Sequence, residues 1–358
     1  MKVNKKLDRR LLTLTSEELT ARCRESSKNE RLPGWERQIY SFVSQWIDDS
    51  PEIILKTSGS TGRPRELKVS KSRMENSARL TGCSLGLKQG DRTFLCLPMD
   101  YIAGKMMVVR ALVLKLKLVA VKPTSHPVDL LNQTVELAAM VPLQLRNSLD
   151  STSIRLIDQL LVGGGPISPD LEDSIQELPI RVVETYGMTE TLTHVAYRYL
   201  NGSRRSKLFQ ALNGIEFKQT PEGCLIIQAP ELNPDIVVTR DLVELENSHS
   251  FCWLGRADNV INSGGIKIIP ERVEQKMANH LKSRPYFIAG VPDLKLGQRV
   301  VLIVEGKADL PRDYEIGRGL EQFEKPRDIF YIKKFCYTDS GKIKRKETIN
   351  LLKKIQSW

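Results

Sequence analysis

Between residues 92 and 187, short apolar runs of strand length alternate with segments of helical periodicity, and this constrains the fold more than any other feature of the chain. "RTFLCLP" (92–98) reads as a strand, "GKMMVVRALVLKL" (104–116) as a helix, "KLVAVK" as a strand and "DLLNQTVELAAM" (129–140) as a helix. "IDQLLVGGG" then reads as a strand, "SPDLEDSIQEL" as a helix and "IRVVETYG" as a strand. Strands and helices in turn predict an α/β fold with a mostly parallel sheet and covering helices. Ligands of such sheets collect beyond the carboxyl ends of the strands. The loops expected there, "SGSTG", "VGGGP" and "YGMTET", are all glycine-rich, and the first and third carry several hydroxyls.

From about residue 194 the pattern changes to short extended runs with hairpin-like turns, such as "IEFKQTPEGCLIIQAP" and "DIVVTRDLVEL", which predicts a β-rich subdomain. Past "WLGRADNVINSGGIKIIPERVEQKMANHL" come a glycine-bearing hairpin, a helix from about Pro270, and the strands "YFIAGVP", "RVVLIVEG" and "DIFYIKKF". The expected division is a large domain over residues 1–254 and a small α+β domain over 255–358.

Composition narrows the classes. A chain of 358 residues, 41% hydrophobic and 27% charged, is ordinary for a globular protein of two domains. It has no apolar stretch of membrane-spanning length and no signal-peptide pattern at its start, so no membrane partner and a cytoplasmic location are expected. The six cysteines are scattered without a CxxC pair, and the four histidines lack metal-ligand spacing, so neither a disulfide framework nor a zinc site is expected. The net charge of +11 suits a polyanionic partner. From Lys325 onward there are ten Lys or Arg against three Asp or Glu, but no nucleic-acid-binding motif, so small polyanions are expected rather than nucleic acid.

The run "LKTSGSTGRPR" follows the apolar "EIIL", and its small hydroxyl residues and glycines could surround an anion. It meets neither the P-loop nor the Rossmann pattern, and alone it reads more readily as a surface turn. "YGMTET" offers the hydroxyls of Thr189 and Thr191 beside Glu190, a carboxylate able to hold a hard cation; a helix N-cap at Thr189 is the plainer reading. "TRD" ends an apolar strand in Asp241, suited to ribose hydroxyls or to a solvated turn. In "GRADNVINSGGIKIIPERVE", Arg256 and Asp258 flank an apolar step, and Gly264–Gly265 marks a sharp bend or a close approach to a ligand. "TDSGKIKR" holds Lys342 in a glycine-preceded turn, ordinarily a solvated face.

Taken in order, "TSGSTGRPR", "YGMTET", "TRD", "GRADNVINSGGIKIIPERVE", "GVPDLKLGQ" and "TDSGKIKR" resemble the motif set of the adenylate-forming superfamily of acyl-CoA synthetases, adenylation domains and luciferases, from about residue 52 to 346. The resemblance implies that Thr57, Ser58, Gly59, Ser60, Thr61 and Gly62 grip the β- and γ-phosphates of ATP. It likewise places Gly163, Gly164 and Gly165 against adenine, and Tyr186 and Gly187 in the nucleotide site. Thr189 and Glu190 would meet the α-phosphate, with Glu190 also on Mg²⁺, and Asp241 and Arg256 would meet the ribose. Asp258 matches the hinge of a mobile small domain, Lys342 the lysine of the adenylation step, and Gly264 and Gly265 the tunnel for the CoA thiol.

"INSGGIKIIPERVE" and "LPMDYIAGKMMVVRAL" (97–112) are closest to the branch of the family that joins o-succinylbenzoate to CoA in menaquinone biosynthesis. By that resemblance Tyr101, Gly104 and Arg110 line the acid pocket, with Arg110 meeting the distal carboxylate, although Arg110 also suits the polar face of a helix. The phosphate loop starts at residue 57, so the chain resembles a shortened member. Another aryl or acyl acid, a carrier-protein thiol, or an inactive nucleotide- or nucleic-acid-binding homologue are the alternatives. A homo-oligomer is compatible with any of them.

Overall fold

The computed structural model describes residues 11–57, 65–278, 281, 284–308, 317–338 and 343–355. The chain opens with β1 (Leu11–Leu14), α1 (Ser16–Lys28) and α2 (Gly34–Trp46). β2 (Glu52–Thr57), β3 (Arg65–Ser70), α3 (Lys71–Leu85), β4 (Arg92–Leu95), α4 (Ile102–Val113), β5 (Lys117–Val121) and β6 (Val135–Met140) follow. Next come α5 (Pro142–Ser148), β7 (Ile157–Val162), α6 (Pro169–Ser174), β8 (Arg181–Gly187), β9 (His194–Tyr199) and β10 (Leu208–Ala211). β11 (Glu216–Gln219), β12 (Cys224–Ala229), β13 (Asn233–Asn247), β14 (Ser250–Arg256), β15 (Ile261–Ser263) and β16 (Ile266–Ile268) form the β-rich stretch. The chain finishes with α7 (Pro270–Met277), β17 (Tyr286–Asp293), β18 (Gly297–Glu305), β19 (Asp328–Ile332) and α8 (Arg345–Ile355). Two compact units emerge: one within Met1–Gly163, Ile175–Glu216 and Gln228–Val237, the other within Gly164–Ser174, Phe217–Ile227 and Val238–Trp358.

In the first unit the strands lie in the order β1-β5-β4-β6-β7-β8-β9-β10. The centre, from β5 to β8, is parallel, and β1, β9 and β10 add antiparallel flanks. The expected parallel sheet is therefore present, but residues 129–140 are not a helix. A 3₁₀ turn (Pro127–Leu130) leads into β6, which lies between β4 and β7 with Val135, Leu137, Ala138 and Met140 buried. A short apolar run buried on both faces has no period that separates strand from helix, and strand pairing decided it.

α1 and α2, which no motif signalled, cover one face of this sheet together with α3 and α4. Leu19, Ile39, Val43, Met74, Ala78 and Met106 pack with Leu95, Leu118, Leu137 and Val183 of the strands. α1 is started by a capping box, in which Thr15 and Glu18 exchange side-chain and backbone hydrogen bonds. β2 and β3 pair as a separate antiparallel ribbon with Ile53 opposite Val69.

In the second unit β14, β13, β12 and β11 lie side by side in that order, and a further sheet has the order β16-β15-β18-β17, with β19 parallel to β18. Alternate residues of β17 and β18 face two cores. Ile288, Leu302 and Val304 pack with Val273 and Met277 of α7, whereas Phe287, Val301 and Ile303 pack with Phe335, which follows β19, and with Leu352 of α8. The guanidinium of Arg345, the last residue of "TDSGKIKR", donates to Glu274 Oε2 at 2.7 Å and lies 5.4 Å from the Phe287 ring centroid. Burial pushes the Glu274 carboxyl up, and the Arg345 charge opposes that shift. Removing one member of such a pair leaves the other charge buried. Arg345→Ala is expected to lower unfolding free energy by about 3 kcal/mol, read as a fall in the urea midpoint at unchanged slope; a loss near zero would show that the pair is solvated.

Candidate active site

Two of the glycine-rich segments begin at the carboxyl ends of β7 and β8, adjacent strands of the first unit. Gly163 closes β7, its N–H donating to Met140 O at 3.2 Å, and a Cβ there would collide with the Thr185 hydroxyl of β8. Gly164 and Gly165 follow it in the chain. On β8, Tyr186 packs its ring 5.8 Å from that of Phe209. Gly187 pairs with His194 across a register shift in β8–β9, and a Cβ at Gly187 would run into the Thr193 and His194 backbone. Only glycine permits that approach.

Between these strands the chain makes a single 3₁₀ turn, Thr189–Thr191, instead of the N-terminus of a longer helix. Thr191 is buried, and its hydroxyl receives the Met188 N–H at 3.1 Å and lies 2.8 Å from Thr193 O, so it is used in holding the loop. Leu192 adopts φ 66°, a left-handed conformation unfavourable for a side chain with a Cβ, next to this loop. Thr189 is half-buried, and Glu190 is exposed while its backbone carbonyl accepts from Asn233 Nδ2 at 3.1 Å. The turn thus buries one hydroxyl and presents the acid outward.

α4 follows β4 and carries the expected acid-pocket residues. Tyr101 is its N-cap, and Gly104 lets the helix approach so closely that a Cβ would strike the Pro98 carbonyl. Arg110 stands nine residues beyond Tyr101, half a turn round the axis at 100° per residue, so one face does not present both. Arg110 is not on a solvated face: it is 3% exposed, its Nε has no partner, and its Nη1 meets only Met107 Sδ at 3.5 Å. No carboxylate pairs with it among the described residues, and burial lowers its pKa to about 10. His194 is also buried, and burial, then the Arg110 charge, push its pKa down to about 3. A small apolar pocket lies between α2 and the expected acid segment, with Trp35 and Ile39 facing Leu97 and Met99.

In the second unit Asp241 and Arg256 are cross-strand partners in β13–β14. Arg256 Nη1 and Trp253 Nε1 each donate to Asp241 Oδ1 at 3.3 Å. Arg256 Nη2 also donates to Asp258 at 3.0 Å, and Arg240 Nε reaches its other oxygen at 3.1 Å. Burial pushes the Asp258 carboxyl up, but the hydrogen bonds and charges of Arg256 and Arg240 outweigh it and hold the group below the usual carboxylate range. Gly264 and Gly265 turn the β15–β16 hairpin, and the Gly264 N–H donates to Leu296 O at 2.8 Å.

Residues 3–215 match the family of AMP-binding enzymes. An acyl-CoA synthetase (AMP-forming)/AMP-acid ligase II-like protein from Dyadobacter fermentans is 34% identical in its crystal structure, covering 96% of this chain and 99% of that one with a TM-score of 0.65. The chain belongs to the AMP-binding enzyme family. A probable 2-succinylbenzoate–CoA ligase of Mycobacterium tuberculosis is 29% identical over 328 residues, 85% of each chain. The O-succinylbenzoate coenzyme A synthetase of Bacillus subtilis, solved in complex with ATP and a magnesium ion, aligns with a TM-score of 0.70 at 20% identity, covering 94% of this chain and 82% of that one. That last likeness supports the fold.

Ser58, Gly59, Ser60, Thr61, Gly62 and Lys342 lie outside the described residues of this AMP-binding enzyme, whereas Thr57 ends β2. Among the described residues no group of three His, Cys, Asp or Glu forms a metal cluster. A lone exposed Glu190 suits Mg²⁺ that arrives with nucleotide, since that ion takes one or two carboxylates and completes its shell with phosphate oxygens and water. No helix among the described residues is long and apolar enough to cross a membrane. Sequence reading missed Trp253, which donates to Asp241, and His194. A lone tryptophan or histidine carries no spacing signal, and only the strand pairing places either one.

The buried neutral imidazole has a measurable consequence. Below pH 6.5 the unfolded chain binds a proton at His194 that the folded chain refuses until about pH 3. Stability should therefore fall with acid across that window, by up to about 1.4 kcal/mol per pH unit from this group. His194→Gln is expected to flatten the curve of unfolding free energy against pH there; parallel curves for the two proteins would show that the ring is not held neutral.

Proposed function

We propose that the chain is an AMP-forming acid:CoA ligase that joins o-succinylbenzoate to CoA, the step that serves menaquinone biosynthesis, with ATP as co-substrate and the cytoplasm as its location. Family membership supports the reaction type, and the likeness to the probable 2-succinylbenzoate–CoA ligase of Mycobacterium tuberculosis supports the acid. The observation that carries the diacid reading is Arg110, a buried guanidinium with no counter-ion among the described residues. Such a charge is costly unless an anion meets it, and a carboxylate can accept two of its N–H groups at once.

In the reaction, one carboxylate of the acid attacks the α-phosphorus of ATP, giving an acyl-adenylate and pyrophosphate. The CoA thiol then attacks the acyl carbon and AMP departs. Thr57–Gly62 would hold the outer phosphates, Gly163–Gly165, Tyr186 and Gly187 the adenine side, and Thr189 the α-phosphate. Asp241 and Arg256 would bind the ribose. Magnesium, held by Glu190 and the phosphates, would neutralise charge on the nucleotide. Lys342 would add a movable positive charge to the first half-reaction. Asp258 would be the hinge between a large domain, 1–254, and a small one, 255–358, and Gly264–Gly265 would line the thiol's path.

Purified protein with Mg·ATP, CoA and o-succinylbenzoate should yield AMP and thioester in equal amounts. AMP with a different acid would keep the chemistry and discard the substrate, and no AMP with any acid would leave a binding-only homologue. Lys342→Ala should cripple adenylate formation while sparing thioester formation from supplied adenylate; equal loss in both would remove it from the first step. Arg110→Leu should reduce kcat/KM for the diacid at least tenfold more than for its mono-acid analogue, 4-oxo-4-phenylbutanoate, and an equal loss would take Arg110 out of the pocket.

A further inference from the structure

Arg73, Asn76, Ser77 and Thr81 of α3 fall within about 140° of arc at about 100° per residue, so one face of the helix presents all four. Arg73 Nε donates to the Leu232 carbonyl and Asn76 Nδ2 to the Glu231 carbonyl at 3.2 Å, which fixes residues 231–232 on the helix. The next residue, Asn233, donates its side-chain amide to the Glu190 carbonyl at 3.1 Å, while its Oδ1 accepts the Asp235 N–H at 3.2 Å. On the far side of the Glu190 turn the Ser77 hydroxyl lies 2.7 Å from that of Thr193, and the Thr81 hydroxyl 3.4 Å from His194 Nε2. Ser77, Thr81 and Leu232 are fully buried.

The 189–191 turn is therefore gripped on both sides by groups whose bonds lead back to one helix. That grip has a strain to resist, since Leu192 holds φ 66°, a conformation that persists only where its surroundings over-determine it. Asn233 meets the Glu190 backbone carbonyl, so the turn is fastened while the Glu190 side chain stays exposed. α3 also follows β3 directly, and β3 pairs with β2 as far as Thr57, so the same helix anchors both places given above to the nucleotide. A carboxylate on a single 3₁₀ turn takes its direction from the backbone, and magnesium is strict about direction because it demands near-octahedral geometry. We propose that Asn233, with Ser77 on the other side of the turn, is a positioning residue for the adenylation step: fixed to α3, the two hold the backbone of the turn so that the Glu190 carboxylate meets magnesium. The inference rests on the reading of Glu190 as the magnesium carboxylate and adds to it the groups that aim it.

The test uses Mn²⁺ in place of Mg²⁺, with ATP and no acid, and reads its affinity for the protein–nucleotide complex from water-proton relaxation without turnover. Glu190→Gln, which removes the carboxylate, sets the full loss. Asn233→Ser keeps an acceptor for the Asp235 N–H but is too short to reach the Glu190 carbonyl, and should weaken Mn²⁺ binding roughly tenfold. In adenylate formation its kcat should fall by a similar factor and recover as Mg²⁺ is raised, with KM for the acid unchanged; a purely structural role would not be repaired by the ion. Wild-type Mn²⁺ affinity in folded Asn233→Ser, beside a loss in Glu190→Gln, would overturn the positioning role and leave Glu190 on the metal. Wild-type affinity in Glu190→Gln would remove both. Should Asn233→Ser fail to fold, Ser77→Ala, which releases the other side of the turn, carries the same expectation, and unchanged Mn²⁺ affinity there would overturn the proposal.

Discussion

The parallel centre of the first sheet is the constraint from which the rest follows. Parallel strands cannot be joined by tight turns, so each connection crosses a face of the sheet and the loops leaving β4, β7 and β8 all emerge at one end. Covering both faces requires strands that are apolar throughout, and Phe94, Leu95, Leu160, Leu161, Val182 and Val183 are all buried. With the backbone polar groups satisfied by the ladder, the loops at that end are free to be built of glycine and hydroxyls. Gly163 and Gly187 show the consequence, because each is pressed against a neighbouring strand too closely for any other residue.

Against this apolar frame, Arg110 is the exception. Its helix is held to the strand end by the contact at Gly104, and its side chain enters a core of Met and Val with a thioether as its only hydrogen-bond partner among the described residues. A fold selected for stability alone would place an apolar side chain there. His194 is also buried, and burial, then the Arg110 charge, disfavour its charged form. In the second unit charge is handled in the opposite way: Asp241, Arg256, Asp258 and Arg240 satisfy one another in a chain of hydrogen bonds.

The sequence reading went astray where local pattern had no power to decide. Residues 129–140 carry helix-compatible apolar spacing, but "VELAAM" is short enough to serve as the strand that completes the sheet between β4 and β7. Thr191 looked like a second ligand hydroxyl beside Glu190, whereas its role is to fasten the turn that lets Glu190 face outward. α1 and α2 gave no motif at all, although Trp35 and Ile39 of α2 face the expected acid segment. Their function is packing, and packing leaves only periodicity in a sequence.

From the sequence alone came the alternation that specifies an α/β sheet and the ordered loops that identify an AMP-binding enzyme, since both depend on residue types at short range: apolar runs for strands, glycine and hydroxyls for turns that approach a nucleotide. The partners of those residues were decided by tertiary structure. Arg110 could have been a solvated helix residue until α4 was packed against α3, and His194 was one of four histidines without a spacing signal until β9 paired with β8 and brought it opposite Gly187. Burial, and with it the strength of every charge in the site, is a property of what surrounds a residue in space, and no window of sequence contains it.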